Sequence, residues 1–139
     1  LPTPSAIRNQ QSTTTQNLSA RDHWSARYVR IAEEIGVSVF KRNPNVDSPA
    51  TRGAVIQTVL ETLGVNIEKG LNNPYKDIGK SHKFADAILT ATKLGIVAGD
   101  TKRDGALAGT FRPNSAVNRA ETAKIFSRLM DLGLVAQKE

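Results

Sequence analysis

Asn118-Arg119-Ala120-Glu121-Thr122-Ala123-Lys124-Ile125-Phe126-Ser127-Arg128-Leu129-Met130-Asp131-Leu132-Gly133-Leu134 is the stretch on which the fold turns. Thr122, Ile125, Phe126, Leu129 and Met130 recur at the three- and four-residue spacing of an amphipathic helix. Asn118 and Glu121 stand in the register of a capping box, where the cap side chain accepts from the third N–H and the carboxylate reaches back. Gly133 supplies a stop, with an apolar residue after it. The same design occurs earlier. Thr51-Arg52-Gly53-Ala54 opens a segment with Val55, Ile56, Val59, Leu60 and Leu63 as its apolar stripe, closed by Gly64-Val65. Thr51 reads as a cap without its reciprocal acid, because position 54 is alanine.

Each of these segments follows another that starts at a histidine and stops at a glycine. After His23 come Trp24, Tyr28, Ile31, Ala32 and Ile35, ended by Gly36-Val37. After His82 come Phe84, Ala87, Ile88, Ala91 and Leu94, ended by Gly95-Ile96. Val37 and Ile96 are expected to fold back on Ala32 and Ala91, which read as close-packing positions. The chain is therefore expected to be all-α, a small bundle of two tandem helix–loop–helix repeats. Residues 21–65 form the first repeat, 66–74 a connection and 75–139 the second. Residues 1–20, rich in Ser, Thr, Gln and Pro without an apolar period, read as a flexible linker or tail. Arg119 lies 67 residues after Arg52 but His82 only 59 after His23, so the second internal loop is eight residues longer, within Gly99–Thr110. A two-helix unit cannot cover its own stripe from both sides, and about three repeats make a comfortable array. A further repeat, or a second chain in its place, is expected.

A chain of 139 residues bounds the answer to one domain or a pair of small repeats. It has no cysteine, which excludes a disulfide framework and a thiolate site. No run approaches the ~18 apolar residues of a membrane span, and no charged-then-apolar leader is present. The start at Leu1, without methionine, reads as a processed piece of something longer. The net charge of +6 is uneven, with Lys69, Lys76, Lys80 and Lys83 crowding the connection. Such a surface favours an anionic partner, whether nucleic acid, acidic polysaccharide or lipid.

Arg52 and Arg119 occupy first helical positions, where the dipole's positive end disfavours a cation by ~0.3–1 kcal/mol. Placing one there twice asks for an anion, either an internal carboxylate or a ligand whose carboxylate the guanidinium fork could hold bidentately. Trp24 and Tyr28 read as core, with a sugar-stacking Trp24 as the alternative. His23 and His82 sit at equivalent helix entries, and with no cluster of ligands around them a conformational or capping role is expected rather than a metal site. Asp100-Thr101-Lys102-Arg103-Asp104-Gly105 fails as a calcium loop, since Lys102 and Phe111 stand where oxygen ligands are required. Gly79-Lys80-Ser81 fails as a phosphate loop for want of its first glycine. A helix-turn-helix needs a turn of three or four residues, whereas Val37–Ala50 and Ile96–Val117 are far longer, so nucleic acid is not the expected partner. No nucleophile-and-base frame occurs, so no catalytic residue and no cofactor are expected.

In order, the features are His-Trp or His-x-Phe, a helix, Gly-Ile/Val, a loop ending Phe111-Arg112-Pro113-Asn114, then Thr/Asn-Arg-x-Glu and a second helix. This order resembles the S-layer homology repeats of bacterial cell-surface proteins. The resemblance implies a prism of three pseudo-symmetric repeats, of which one is absent here. It also implies a noncovalent anchor, secreted to the cell surface, which binds an anionic, often pyruvylated, cell-wall polysaccharide in the grooves between repeats. Carried over, the carboxylate-meeting role falls on Arg52 and Arg119, and Gly99 could offer its backbone N–H to the sugar. Trp24 and the loop residue Arg112 complete the ligand-binding set that the resemblance implies. An assembly or docking module of the cell surface, with the same fold and no glycan, is the competing expectation. The first repeat departs from the pattern at Gly53-Ala54, where Ala-Glu is expected.

Overall fold

Among the described residues four α-helices form where the periodicity places them: α1 (Ala26–Ile35), α2 (Arg52–Thr62), α3 (Ala85–Lys93) and α4 (Arg119–Asp131). The structure is a computed structural model that describes residues 14–135. Among the described residues there is no strand, only isolated bridges at Thr51–Ala116 and Thr101–Leu107. The fold is all-α. All four helices end the same way, with a glycine in the left-handed region: Gly36, Gly64, Gly95 and Gly133 have φ of 87°, 69°, 81° and 72°. The N–H after each glycine reaches a carbonyl five residues back, as Val37 to Ala32 at 3.0 Å, Val65 to Leu60 at 3.0 Å, Ile96 to Ala91 at 2.9 Å and Leu134 to Leu129 at 2.9 Å. That bond satisfies a carbonyl the helix would otherwise leave open.

Contacts divide the chain into two units, Leu1–Ser48 and Pro49–Glu139. α1 falls in the first unit, and α2 packs against α3 within the second.

In the first unit, α1 packs on the 3-10 turn Ser38–Arg42. Its buried residue is Val29, not the aromatics: Trp24 is 80% exposed and Tyr28 64% exposed. The reason is one of phase. The helix begins at Ala26, so Trp24 lies in the turn before it, and the inward position falls to Val29. Of the expected tail 1–20, residues 1–13 lie outside the described residues, and residues 14–20 are held in place. Leu18–Ala20 is a 3-10 turn capped by Asn17, whose side chain accepts from the Ala20 N–H at 3.0 Å. Thr15 donates its hydroxyl to Glu33, and the Gln16 N–H reaches the same carboxylate at 3.0 Å. Asn17 Nδ2 donates to the Pro44 carbonyl at 2.7 Å, and the Leu18 N–H to Asn43 Oδ1 at 2.8 Å. Thr15 and Asn17 are buried in this way. Composition marks such a segment as polar, but polar groups that find partners can be buried at little cost.

In the second unit, Ile56 and Leu60 of α2, Ala87, Ile88 and Ala91 of α3, and Ile125 and Leu129 of α4 belong with Phe111 to one buried core. Phe84 closes one end against α2, where a Cβ on Gly53 would come within 2.9 Å of its ring. That contact accounts for the glycine in Thr51-Arg52-Gly53-Ala54. On α4 the sequence stripe is only half hidden, with Phe126 at 44% exposure.

The two histidines perform the same task in their respective units. The Ser25 N–H donates to His23 Nδ1 at 3.2 Å and the Phe84 N–H to His82 Nδ1 at 3.1 Å. That leaves each Nε2 to carry the ring proton, and it meets Asp47 at 2.8 Å in one unit and Asn114 at 3.1 Å in the other. Each ring thus ties a helix entry to the loop that follows.

Candidate functional site

The site is assembled at the N-terminus of α2, from backbone first. The first N–H groups of a helix have no intrahelical partner. Here the Arg52 N–H donates to the Ser115 carbonyl at 2.8 Å and the Gly53 N–H to the Pro113 carbonyl at 2.9 Å, while the Val117 N–H returns to the Ala50 carbonyl at 3.0 Å. Thr51 Oγ1 accepts from the Ala54 N–H at 3.2 Å. Loop carbonyls and Thr51 thus take up the N–H groups of Arg52, Gly53 and Ala54, the first three of α2.

The same loop fixes the Arg52 side chain. Its Nε donates to the Phe111 carbonyl at 2.8 Å, and its guanidinium lies 4.8 Å from the centre of the Phe111 ring. Its Nη1 pairs with Glu121 Oε1 at 2.6 Å, and the side chain is only 12% exposed. The anion that this cation requires is therefore internal. Glu121 is also the reciprocal acid of the α4 cap: its N–H donates to Asn118 Oδ1 at 2.8 Å and its Oε2 accepts from the Asn118 N–H at 3.1 Å. Burial would raise the Glu121 carboxyl, but the Asn118 N–H and the charges of Arg52 and Arg112 outweigh it, and the group stays below the usual carboxylate range.

Arg112 is a brace. Its Nε and Nη2 fork onto Asp100 at 3.0 and 2.9 Å, and Nη2 lies 3.5 Å from Glu121. The fork of Arg112 holds the Asp100 carboxyl below its ordinary value, helped by Thr110 against a smaller effect of burial. Arg112 has φ of 58°, unusual for a residue with a Cβ. Asp77 holds it there by accepting its N–H at 2.8 Å and that of Phe111 at 3.0 Å.

Beside Arg52 opens a hollow of about 280 Å3, walled by Gly99, Asp100, Phe111, Glu121, Lys124 and Arg128 among others. Gly99 has φ of 79°, and a Cβ there would lie 2.6 Å from the Tyr75 ring and 2.7 Å from the Thr110 carbonyl. Glycine is thus obligatory, and no hydrogen bond engages its N–H among the described residues. Arg128 Nη1 donates to the Ile96 carbonyl at 3.2 Å, which leaves most of its fork unused. Lys124 is exposed and has no ion pair among the described residues.

Of the residues singled out in the sequence, Arg52 and Gly99 share the hollow, and Arg112 stands behind it through Asp100 and Glu121. Arg119 is exposed and does not line it; among the described residues it has no ion pair. Trp24 lies in the first unit with Tyr28, their rings edge to face at 6.4 Å. Sequence reasoning missed Lys124 and Arg128. The signal was present: Glu121, Lys124, Ile125 and Arg128 follow the three- and four-residue helical step, which puts the cations on the edge of the buried stripe.

Residues 74–123 match the S-layer homology domain. Such domains are generally cell-wall anchoring modules, associated with the cell surface, and bind rather than catalyse. The chain is 25% identical over 121 residues to Exoglucanase XynX of Acetivibrio thermocellus, a match covering 86% of this chain and 10% of that protein. The chain therefore spans about a tenth of that relative's length. No helix among the described residues is long and apolar enough to cross a membrane. No group of three His, Cys, Asp or Glu among them could hold a metal ion.

Proposed function

We propose that the chain is a secreted, noncovalent cell-envelope anchor made of two S-layer homology-like repeats, which binds an anionic, pyruvylated wall polysaccharide in the hollow beside Arg52. The observation that carries this reading is the pair of uncommitted donors there, the Gly99 N–H and the Lys124 ammonium, with the spare fork of Arg128 alongside. A carboxylate entering the hollow meets three donors at a partly enclosed wall, where charge-assisted hydrogen bonds are stronger than neutral ones. Arg52 acts through position rather than charge, since Glu121 already neutralises it. Arg119 and the exposed Trp24 add contacts outside the hollow, one for an acidic group and one for a sugar face. Weak contacts repeated along a polymer then add through effective concentration.

The test is co-sedimentation with purified wall polysaccharide, intact and after chemical removal of its pyruvyl groups. Retention is expected on the intact polymer and its loss on the stripped one. Lys124→Gln should lower retention at least about fivefold, in line with one exposed charge-assisted contact. Equal retention of the two polymers defeats the charge-pairing reading.

A second reading has an observation of its own. Phe126, Leu132 and Leu134 on and after α4 are 44%, 48% and 37% exposed. Exposed apolar side chains of this kind suit a docking module, completed by a second chain. Sedimentation across a hundredfold range of concentration tests it; a constant monomer mass removes it.

A further inference from the structure

The eight extra residues of the second loop fold into a tight, ordered hairpin. The Asp100 N–H donates to the Thr110 carbonyl at 2.9 Å, the Ala108 N–H to Asp100 at 2.9 Å and the Lys102 N–H to Ala106 at 2.8 Å. Thr110 Oγ1 donates to Asp100 Oδ2 at 2.7 Å, and the fork of Arg112 pins the base. A hairpin held so firmly nevertheless carries a leucine in solvent: Leu107 is 64% exposed. Its place explains it. Leu107 stands at the rim of a second cavity of about 400 Å3, with Pro74, Tyr75, Val97, Gly109 and Arg128. Ligand sites are mostly apolar clefts of about 300–1,000 Å3 with a few placed polar groups, and this cavity has that character. No carboxylate lines it.

The two hollows are neighbours. Val97, Ala98 and Arg128 belong to both walls, so the two hollows adjoin and the space beside Leu107 is the nearest one for a second residue of a ligand held beside Gly99. We propose that the insertion-built cavity is a second subsite, which takes an uncharged sugar residue adjoining the acidic one, through its apolar C–H face. The inference rests on the glycan reading above and adds to it a minimum ligand length and an order of residues. The charge arrangement supports that order. In the first wall Asp100 and Glu121 are paired with Arg112 and Arg52, which leaves Lys124 and Arg128 as two cations for a ligand, whereas the second wall has Arg128 as its single charged residue. A carboxylate is better served in the first, and an uncharged ring loses nothing in the second.

The experiment uses the full chain and two probes, a 4,6-O-pyruvylated methyl hexoside and the disaccharide made by adding one uncharged hexose to it. Affinity is read by calorimetry and location by amide shifts in NMR. The monosaccharide should move the Gly99 and Lys124 amides alone. The disaccharide should also move Leu107 and Gly109 and bind about tenfold tighter, the worth of largely covering one leucine. Leu107→Asp, at an exposed position, should abolish that gain and leave monosaccharide affinity unchanged. If both probes bind equally and Leu107 does not respond, the second subsite is wrong while the glycan reading stands. If neither probe moves any amide around either hollow, both fall. If the gain survives Leu107→Asp, the hairpin is not its source and the proposal is overturned.

Discussion

Glu121 joins three things at once: the cap of α4, the charge of Arg52 and the outer edge of Arg112. Removing it strands a guanidinium that is 12% exposed and deletes half a capping box. Glu121→Ala is therefore expected to destabilise the fold by about 2–3 kcal/mol, read as a lower urea midpoint at unchanged slope. Glu121→Gln, which retains a hydrogen-bonding side chain, should cost less than half as much. Arg52 cannot be read in isolation for the same reason. Its residue type and helix position show that an anion is needed, but Glu121 lies far along the chain, and which carboxylate supplies it depends on how the second loop returns. The capping role of Glu121 involves a neighbour three residues away and is plain in the sequence; its ion pair is not.

At the level of elements, the four glycine stops were legible because a left-handed cap is a local event, settled within six residues. The helix-entry histidines were legible as capping groups for the same reason. What escaped was phase and partnership. Trp24 lies just before α1 and not on it, so its place in the stripe fails, and the close packing of α2 on α3 is a contact between segments far apart in the chain. The polar segment 14–20 escaped because composition reports the expense of burying polar atoms and not the partners waiting for them. Gly53 shows how tightly α2 meets Phe84. Alanine would favour the helix by up to ~1 kcal/mol, yet its Cβ needs space the ring occupies. Gly53→Ala should be net destabilising by about 1 kcal/mol. Combined with Phe84→Leu, the same change should become neutral or favourable, a coupling that a double-mutant cycle in urea measures.

For the second unit as a whole, acid is the condition to watch. Glu121 and Asp100 both ionise at lower pH folded than unfolded. On acidification the unfolded chain therefore takes up protons first, so stability falls with pH. The contribution is complete above the ordinary values of 4.5 and 3.8 and vanishes as pH drops through the depressed folded ones. Thermal midpoints should hold level between about pH 7 and 5 and decline below that; Glu121→Gln should show a shallower decline. A flat profile down to about pH 2 would mean these carboxylates do not support the fold.

The knot of hydrogen bonds linking Thr15, Gln16 and Asn17 with Glu33 and Pro44 has a practical side for anyone preparing this protein. A recombinant version begun at Asp22, where the hydropathy first turns favourable, would amputate that strap and leave Glu33 and the Pro44 carbonyl to water. Tags and fusion partners belong ahead of Thr14.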